Sequence, residues 1–177
     1  AILIGTGLVI AVILVATLPH VRARLQTFVN PLHDPQGSSY QVRQAFMAVG
    51  SGGVVGRGYG QSIQKFHYLP EPTGDAIFAV AAEELGFLGS LIILSLYIAF
   101  ALRGLSIAKR SPTIFTRLLV TGLISLVIIQ SFLNIASVIG VFPLTGLPLI
   151  FISQGGTALM FALLSVGIVL RVSRHAK

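Results

Sequence analysis

Cysteine and tryptophan are absent from the 177 residues, and acidic residues number only five. Without thiols the chain can have no disulfide framework, thiolate metal site or redox pair. Charged residues make up 10% of it, against about 25% in a soluble domain, too few to cover a globule with a hydrated surface. Intrinsic disorder is excluded by the same figures, because it requires low hydrophobicity and high charge. What the chain has in quantity is apolar: 54% of its residues, with a mean hydropathy of +0.91. The class is an all-α, polytopic integral membrane protein.

Residues 1–18, 118–140 and 147–170 carry no charge, and 76–102 is interrupted only by Glu83 and Glu84. Each run reaches the roughly 20 residues that cross a bilayer's hydrocarbon core as a helix. The prediction is four spanning helices in one domain, residues 1–177, with a single large loop over 19–75. The first run lacks a basic leader and a small-residue cleavage site, so it reads as a span and not a signal peptide. A chain that opens at Ala1, already inside a helix, reads as part of a longer one.

Residues 103–117 and 171–177 gather Arg103, Lys109, Arg110, Arg117, Arg171, Arg174 and Lys177, with no acid among them. Short loops dense in Lys and Arg mark the cytoplasm, so the long loop is expected outside. The net charge of +7 therefore records topology, and no nucleic-acid partner is called for.

The long loop holds most of the polar chemistry. Within 40–49, apolar residues at Val42, Ala45, Phe46 and Val49 have the i, i+3, i+4, i+7 spacing of a helix face, expected at the outer interface. Gly50-Ser-Gly-Gly-Val-Val-Gly-Arg-Gly-Tyr-Gly60 follows. Such a segment suits an anion cradle of backbone N–H groups, or, the stronger reading here, a tight loop packed between helices. It has neither GxGxxG nor GK[ST], so no nucleotide-binding fingerprint is present. Arg57, Lys65 and His67, beside Gln61, Ser62 and Gln64, could hold a phosphorylated lipid head group or simply be a solvated face.

Leu69-Pro-Glu-Pro-Thr-Gly-Asp75 leads into the second span. Thr73 or Asp75 is placed to cap the helix there, and an ionised Asp75 at a membrane surface could act as a general base. Glu83 and Glu84 lie about 12–14 Å further along a helix. Carboxylates in a span usually face a bundle interior or an aqueous cavity; a buried salt bridge or hydrogen-bond anchor is the alternative. Gln130 and Asn134, at i and i+4, are expected to bond across helices. Ser153-Gln-Gly-Gly-Thr157 suggests a broken or closely packed helix start. No internal repeat, HExxH spacing or serine nucleophile elbow occurs.

Taken together, Tyr40-Gln-x-x-Gln44, Ala48-x-Gly-Ser-Gly-Gly-x-x-Gly-x-Gly-Tyr-Gly-x-Ser62-x-Gln-Lys65, Leu69-Pro-Glu71, Asp75-x-Ile-Phe-Ala79, Glu83-Glu-Leu-Gly86, Pro143-x-Thr-Gly-x-Pro148 and Ser153-x-Gly-Gly156 resemble the C-terminal half of the FtsW/RodA/SpoVE (SEDS) family of bacterial membrane glycosyltransferases. Ser62-Ile-Gln-Lys65 before Leu-Pro-Glu is more similar to the FtsW/SpoVE branch than to RodA. The resemblance implies a fold of about ten transmembrane helices, of which this chain would supply the last four.

It also implies peptidoglycan polymerisation at the bacterial cytoplasmic membrane, at the division site: a GlcNAc 4-hydroxyl of one lipid II attacks the MurNAc C1 of another, releasing undecaprenyl pyrophosphate. The family's loop aspartate maps onto Asp75, the implied catalytic base. Lys65, Arg57, His67, Gln44, Gln64, Glu83, Glu84 and Ser153 are the candidate substrate-binding residues; Lys65 and the Glu83-Glu84 pair match the motif, while Arg57 and His67 follow from charge and position. Lys65, Arg57 or a divalent cation, Mg or Mn, would neutralise the departing pyrophosphate. The implied partners are lipid II, a class B penicillin-binding transpeptidase and other division proteins. Where the family commonly reads His-Thr-Asp-Phe-Ile-Phe, this chain has Thr73-Gly-Asp-Ala-Ile-Phe78; where the family reads Ser-Tyr-Gly-Gly-Ser-Ser, it has Ser153-Gln-Gly-Gly-Thr-Ala158. A lipid-linked precursor flippase or a non-catalytic division scaffold are the competing functions. A transporter should carry charges at the midplane of several helices, and three of the four predicted spans have none.

Overall fold

The computed structural model describes residues 17–30 and 38–175. Every regular element in them is a helix: α1 (Pro19–Val29), α2 (Ser38–Ser51), α3 (Ile63–His67), α4 (Ile77–Lys109), α5 (Ile114–Val138) and α6 (Gly156–Ser173). Three of these, α4, α5 and α6, are long and apolar enough to cross a membrane. They are apolar nearly all round, the pattern of helices that face lipid or further helices and not water; Leu91, Ile92, Leu96, Leu126 and Leu163 all stand exposed on them. The predicted first span, residues 1–18, lies outside the described residues except for its last two positions.

The other boundaries move in ways the local chemistry explains. Helix α5 starts at Ile114 because Thr113 and Thr116 form a capping box, Thr113 Oγ1 accepting from the Thr116 N–H at 3.2 Å and Thr116 Oγ1 from the Thr113 N–H at 3.4 Å. Helix α4 runs past the predicted 102 to Lys109, carrying Arg103 and Lys109 on its last turns, where long basic side chains reach the interface. The span predicted over 147–170 begins only at Gly156. Residues 147–155 are instead an irregular segment. Pro148 supplies no N–H, Phe151 has φ 72°, and Ser153 Oγ accepts from the Leu149 N–H at 2.7 Å, replacing helical bonds with a side-chain one.

The predicted loop is largely helical. Helix α2 lies against α4, burying Val42, Ala45 and Ala48. The periodic face is present, except that Phe46 sits at its rim, 39% exposed, with its ring over Gly140. The main core joins Ala45 and Ala48 of α2 to Phe78, Ala79, Val80 and Tyr97 of α4, Ile135 and Val138 of α5, and Leu149 of the irregular segment. The Tyr97 hydroxyl donates to the Ile150 carbonyl, fastening that segment to α4. A second core near the far end of the bundle packs Ala108, Val120, Ile124 and Val169.

One interruption organises the polar end. Gly86, at φ 68° and ψ −165°, breaks α4. In an unbroken helix the N–H groups of Phe87 and Leu88 would bond the carbonyls of Glu83 and Glu84. Here those N–H groups bond the carbonyls of Gly53 and Val54, at 2.9 and 3.1 Å, and the carbonyls of Glu83 and Glu84 accept from the N–H groups of Arg57 and Gly58, both at 3.0 Å. The glycine-rich loop thus supplies partners for four backbone groups that the break in the helix would otherwise leave unpaired. Residues 87–109 alone extend about 34 Å, enough for a hydrocarbon core of about 30 Å.

Candidate functional site

Asp75 sits in the turn between the Leu69-Pro-Glu-Pro stretch and α4. It does not cap that helix. The N-cap is Ala76, and no side chain bonds the first-turn N–H groups, so neither Thr73 nor Asp75 fills the capping role the sequence suggested. The physical reason is that the Asp75 carboxylate has another partner: Gln41 Nε2 on α2 donates to its two oxygens at 3.2 and 3.4 Å. Asn134 Nδ2, from α5, donates at 2.7 Å both to the Asp75 carbonyl and to the Leu147 carbonyl. The Gln154 N–H donates at 2.9 Å to the Thr73 carbonyl. Four parts of the chain therefore meet at this turn: α2, the start of α4, α5 and the irregular segment that holds Ser153.

Both loops at this meeting contain a bulky residue in the left-handed region, Glu71 at φ 49° and Phe151 at φ 72°. Each costs on the order of 1–3 kcal/mol and persists only where the surroundings over-determine it. Asp75 is half-buried, and burial raises its pKa above the ordinary carboxylate value; the amide of Gln41 and its own backbone N–H pull the other way, Glu71 raises it further and Arg24 lowers it. Arg24, on α1, is itself held by Nη1 donating to the carbonyls of Leu144 and Thr145 at 3.1 and 2.8 Å.

Glu83 lies in a second cluster. It is 1% exposed, and its carboxylate accepts from Ser62 Oγ at 2.6 Å, from the Ile63 N–H at 3.2 Å and from the Gln64 N–H at 3.3 Å. Arg57 Nε stands 3.7 Å from it. Ser62 in turn accepts from the Lys65 N–H and caps α3. Glu83 is thus an anchor between α4 and the loop carrying Arg57, Gln64 and Lys65. Glu84 and Gln44 are buried, with one oxygen of each lacking a hydrogen-bond partner. His67 closes α3. The glycine-rich loop is packed against α4, its Arg57 and Gly58 N–H groups spent on helix carbonyls, so those groups are not open to an anion.

Gln130 and Asn134 do bond neighbouring elements, but through backbone carbonyls and not helix side chains: Gln130 Nε2 reaches that of Pro148 at 3.4 Å, and Asn134 those of Leu147 and Asp75. Among the described residues no three His, Asp or Glu side chains gather as a metal site would require. Sequence reasoning missed two residues here, Gln41 and Arg24, and the partner of a third, Asn134. Gln41 belonged to the Tyr40-Gln-x-x-Gln44 stretch, one helical turn before the buried Ala45. Asn134 was visible as a polar residue in an apolar run, though not its partner. Arg24 carried no signal, since only the fold brings α1 near Asp75.

Comparison with known proteins places the whole chain in one context. The family described as a cell cycle protein, FtsW/RodA/SpoVE, matches residues 1–177. The stage V sporulation protein E of Bacillus subtilis is 44% identical over 164 residues, covering 93% of this chain and 45% of that protein. A probable peptidoglycan glycosyltransferase FtsW of Thiomicrospira cyclica is 44% identical over 174 residues, covering 97% and 45%. The peptidoglycan glycosyltransferase MrdB of Escherichia coli is 42% identical over 157 residues, covering 88% and 42%. A solved structure, described as showing structural coordination of polymerization and crosslinking by a peptidoglycan synthase complex, superposes with a TM-score of 0.77 at 27% identity, over 98% of this chain and 47% of that one. The chain spans about half the length of the relatives it matches.

Proposed function

The chain belongs to the FtsW/RodA/SpoVE family, and on that premise we propose that it forms the catalytic half of a division-type peptidoglycan glycosyltransferase with Asp75 as general base. The observation that carries this reading is the state of Asp75: half-buried, released from helix capping, raised in proton affinity by burial, and held at a junction of four chain segments. A carboxylate with those properties is a better proton acceptor than a solvated one.

In the reaction, the acceptor sugar's 4-hydroxyl gives its proton to Asp75 while its oxygen bonds the donor's C1. The C1–O bond to pyrophosphate breaks, and undecaprenyl pyrophosphate leaves with the electron pair. Arg57 and Lys65, on the segment anchored by Glu83, supply positive charge for the leaving group. Arg57 is already engaged with Glu83 on its Nε side, which fixes where its charge sits. The basic 103–117 and 171–177 segments favour a cytoplasmic location for their own end of the bundle, and with it an outer location for the polar end, where lipid-linked substrate and a penicillin-binding transpeptidase would meet it. The chain would be the last four spans of a multi-pass inner-membrane protein.

The test uses the whole protein carrying these residues, in proteoliposomes supplied with lipid II and its transpeptidase partner. Asp75→Asn is expected to lower polymerisation by roughly 10²–10⁴, the usual contribution of a general base, with the protein still folded. Normal glycan synthesis by that variant would overturn the assignment.

A further inference from the structure

Asp75 has a companion that neither the family match nor the named relatives single out. Gln41 approaches from α2 and shares one amide nitrogen between both carboxylate oxygens. An ionised carboxylate offers about four lone-pair sites, so this contact leaves room for a sugar hydroxyl. The approach is rigid at both ends. Ala45 and Ala48 are fully buried against the bundle, which fixes the rotation of α2 and brings Gln41, one turn earlier, to Asp75. On the other side Asn134 grips the Asp75 main chain at 2.7 Å.

We propose that Gln41 is a positioning residue for Asp75: its amide aims the carboxylate and biases it toward the ionised, proton-accepting form. This rests on the reading of Asp75 as the base. The chemistry is direct. Two N–H···O contacts are available while both oxygens are bare; once one oxygen carries a proton, the amide keeps a full acceptor only in the other. The charged groups around Asp75 are few. Arg24 acts on it from α1 and Glu71 from its own loop, α5 contributes the Asn134 amide, the first turn of α4 has no acidic residue, and residues 139–155 contain no titratable side chain. Burial, which favours the neutral acid, is opposed chiefly by Gln41.

The experiment compares the pH dependence of lipid II polymerisation for the whole protein and for Gln41→Met, Gln41→Asn and Asp75→Asn. Methionine keeps the length and helix propensity of Gln41 but donates nothing; asparagine keeps the amide one methylene short. Expected for Gln41→Met is a fall in turnover of about tenfold at neutral pH, KM for lipid II within about twofold, and an acid limb moved up by about half a unit or more, since a lost hydrogen bond to the charged form raises a carboxyl's pKa. Part of the rate then returns at higher pH, and Gln41→Asn falls between.

An acid limb that stays in place, or a loss confined to KM, overturns the proposal, because a merely structural glutamine would not move the limb. If Gln41→Met shows no cooperative melting transition, the limb of Gln41→Asn decides by the same criterion. An inactive Asp75→Asn beside an unmoved Gln41 limb removes the role of Gln41 alone. An active Asp75→Asn removes the base and Gln41's role with it.

Discussion

Gly56 and Gly86 meet backbone to backbone: a Cβ on Gly86 would lie 2.3 Å from the Gly56 nitrogen, and one on Gly56 would lie 2.2 Å from the Glu84 carbonyl oxygen. Both residues also have positive φ, 85° and 68°, so an L side chain is excluded twice over, by conformation and by space. The contact is what lets the loop complete the hydrogen bonding of the broken α4, and it carries Arg57 and Gly58 to the break in that helix.

Gly86→Ala and Gly56→Ala are accordingly expected to cost several kcal/mol, through backbone strain and four backbone hydrogen bonds left unpaired. Thermal melting of the detergent-solubilised protein checks this. A variant melting within a degree or two of the parent would show that the loop can leave α4 without penalty.

Ser62→Ala should be a milder lesion. It removes the 2.6 Å bond to buried Glu83 and the cap of α3, a loss of about 1–3 kcal/mol for an under-satisfied buried carboxylate. Glycan synthesis should fall with it, since the Arg57 and Lys65 segment is tethered through Glu83. Ser62→Thr, which keeps the hydroxyl, should recover most of both quantities.

Asp75 should act on stability in the opposite sense to its proposed role in activity. Its folded pKa is raised above the ordinary carboxylate value, so the folded state holds the proton more tightly than the unfolded chain. Stability is therefore greatest below the ordinary range and falls as pH rises through the raised value. Asp75→Asn should melt at or above the parent's temperature at neutral pH and show a flatter melting profile as pH rises above the ordinary carboxylate range, with polymerisation lowered as proposed above. A parent profile that rises there would contradict the burial of the carboxylate.

Asn134→Leu should separate main-chain placement from carboxylate chemistry. It strands two carbonyls, those of Asp75 and Leu147, at about 1–3 kcal/mol, and leaves Gln41 in place. Turnover should drop with the position of the acid limb nearly unchanged, because the amide it removes bonds backbone and not the ionising group. A pH–rate profile shifted as far as that of Gln41→Met would refute the distinction.

Much of the fold was readable along the chain because its causes are local or one-dimensional. Scarcity of charge required a membrane, and long apolar runs, one broken only by Glu83 and Glu84, located α4, α5 and α6. A 3.6-residue period marked α2. Asp75 too stood out as a rare carboxylate in a proline-framed turn. Boundaries failed where a tertiary partner outweighed propensity: residues 147–155 are apolar enough to be a helix, yet Ser153, Pro148 and the Gln154–Thr73 bond hold them irregular. The capping expectation failed for the same reason, since a side chain caps only when nothing better competes for it, and Gln41 does. Composition and spacing by themselves determined that this is an α-helical membrane chain whose polar chemistry is concentrated outside its long apolar runs. Only the tertiary structure decided that Glu83 is an anchor, that the glycines splice a broken helix, and that Gln41 and Asn134 hold Asp75. Those relations join positions 34 and 59 residues apart, and hydrogen-bond geometry at such separations has no periodic trace in sequence.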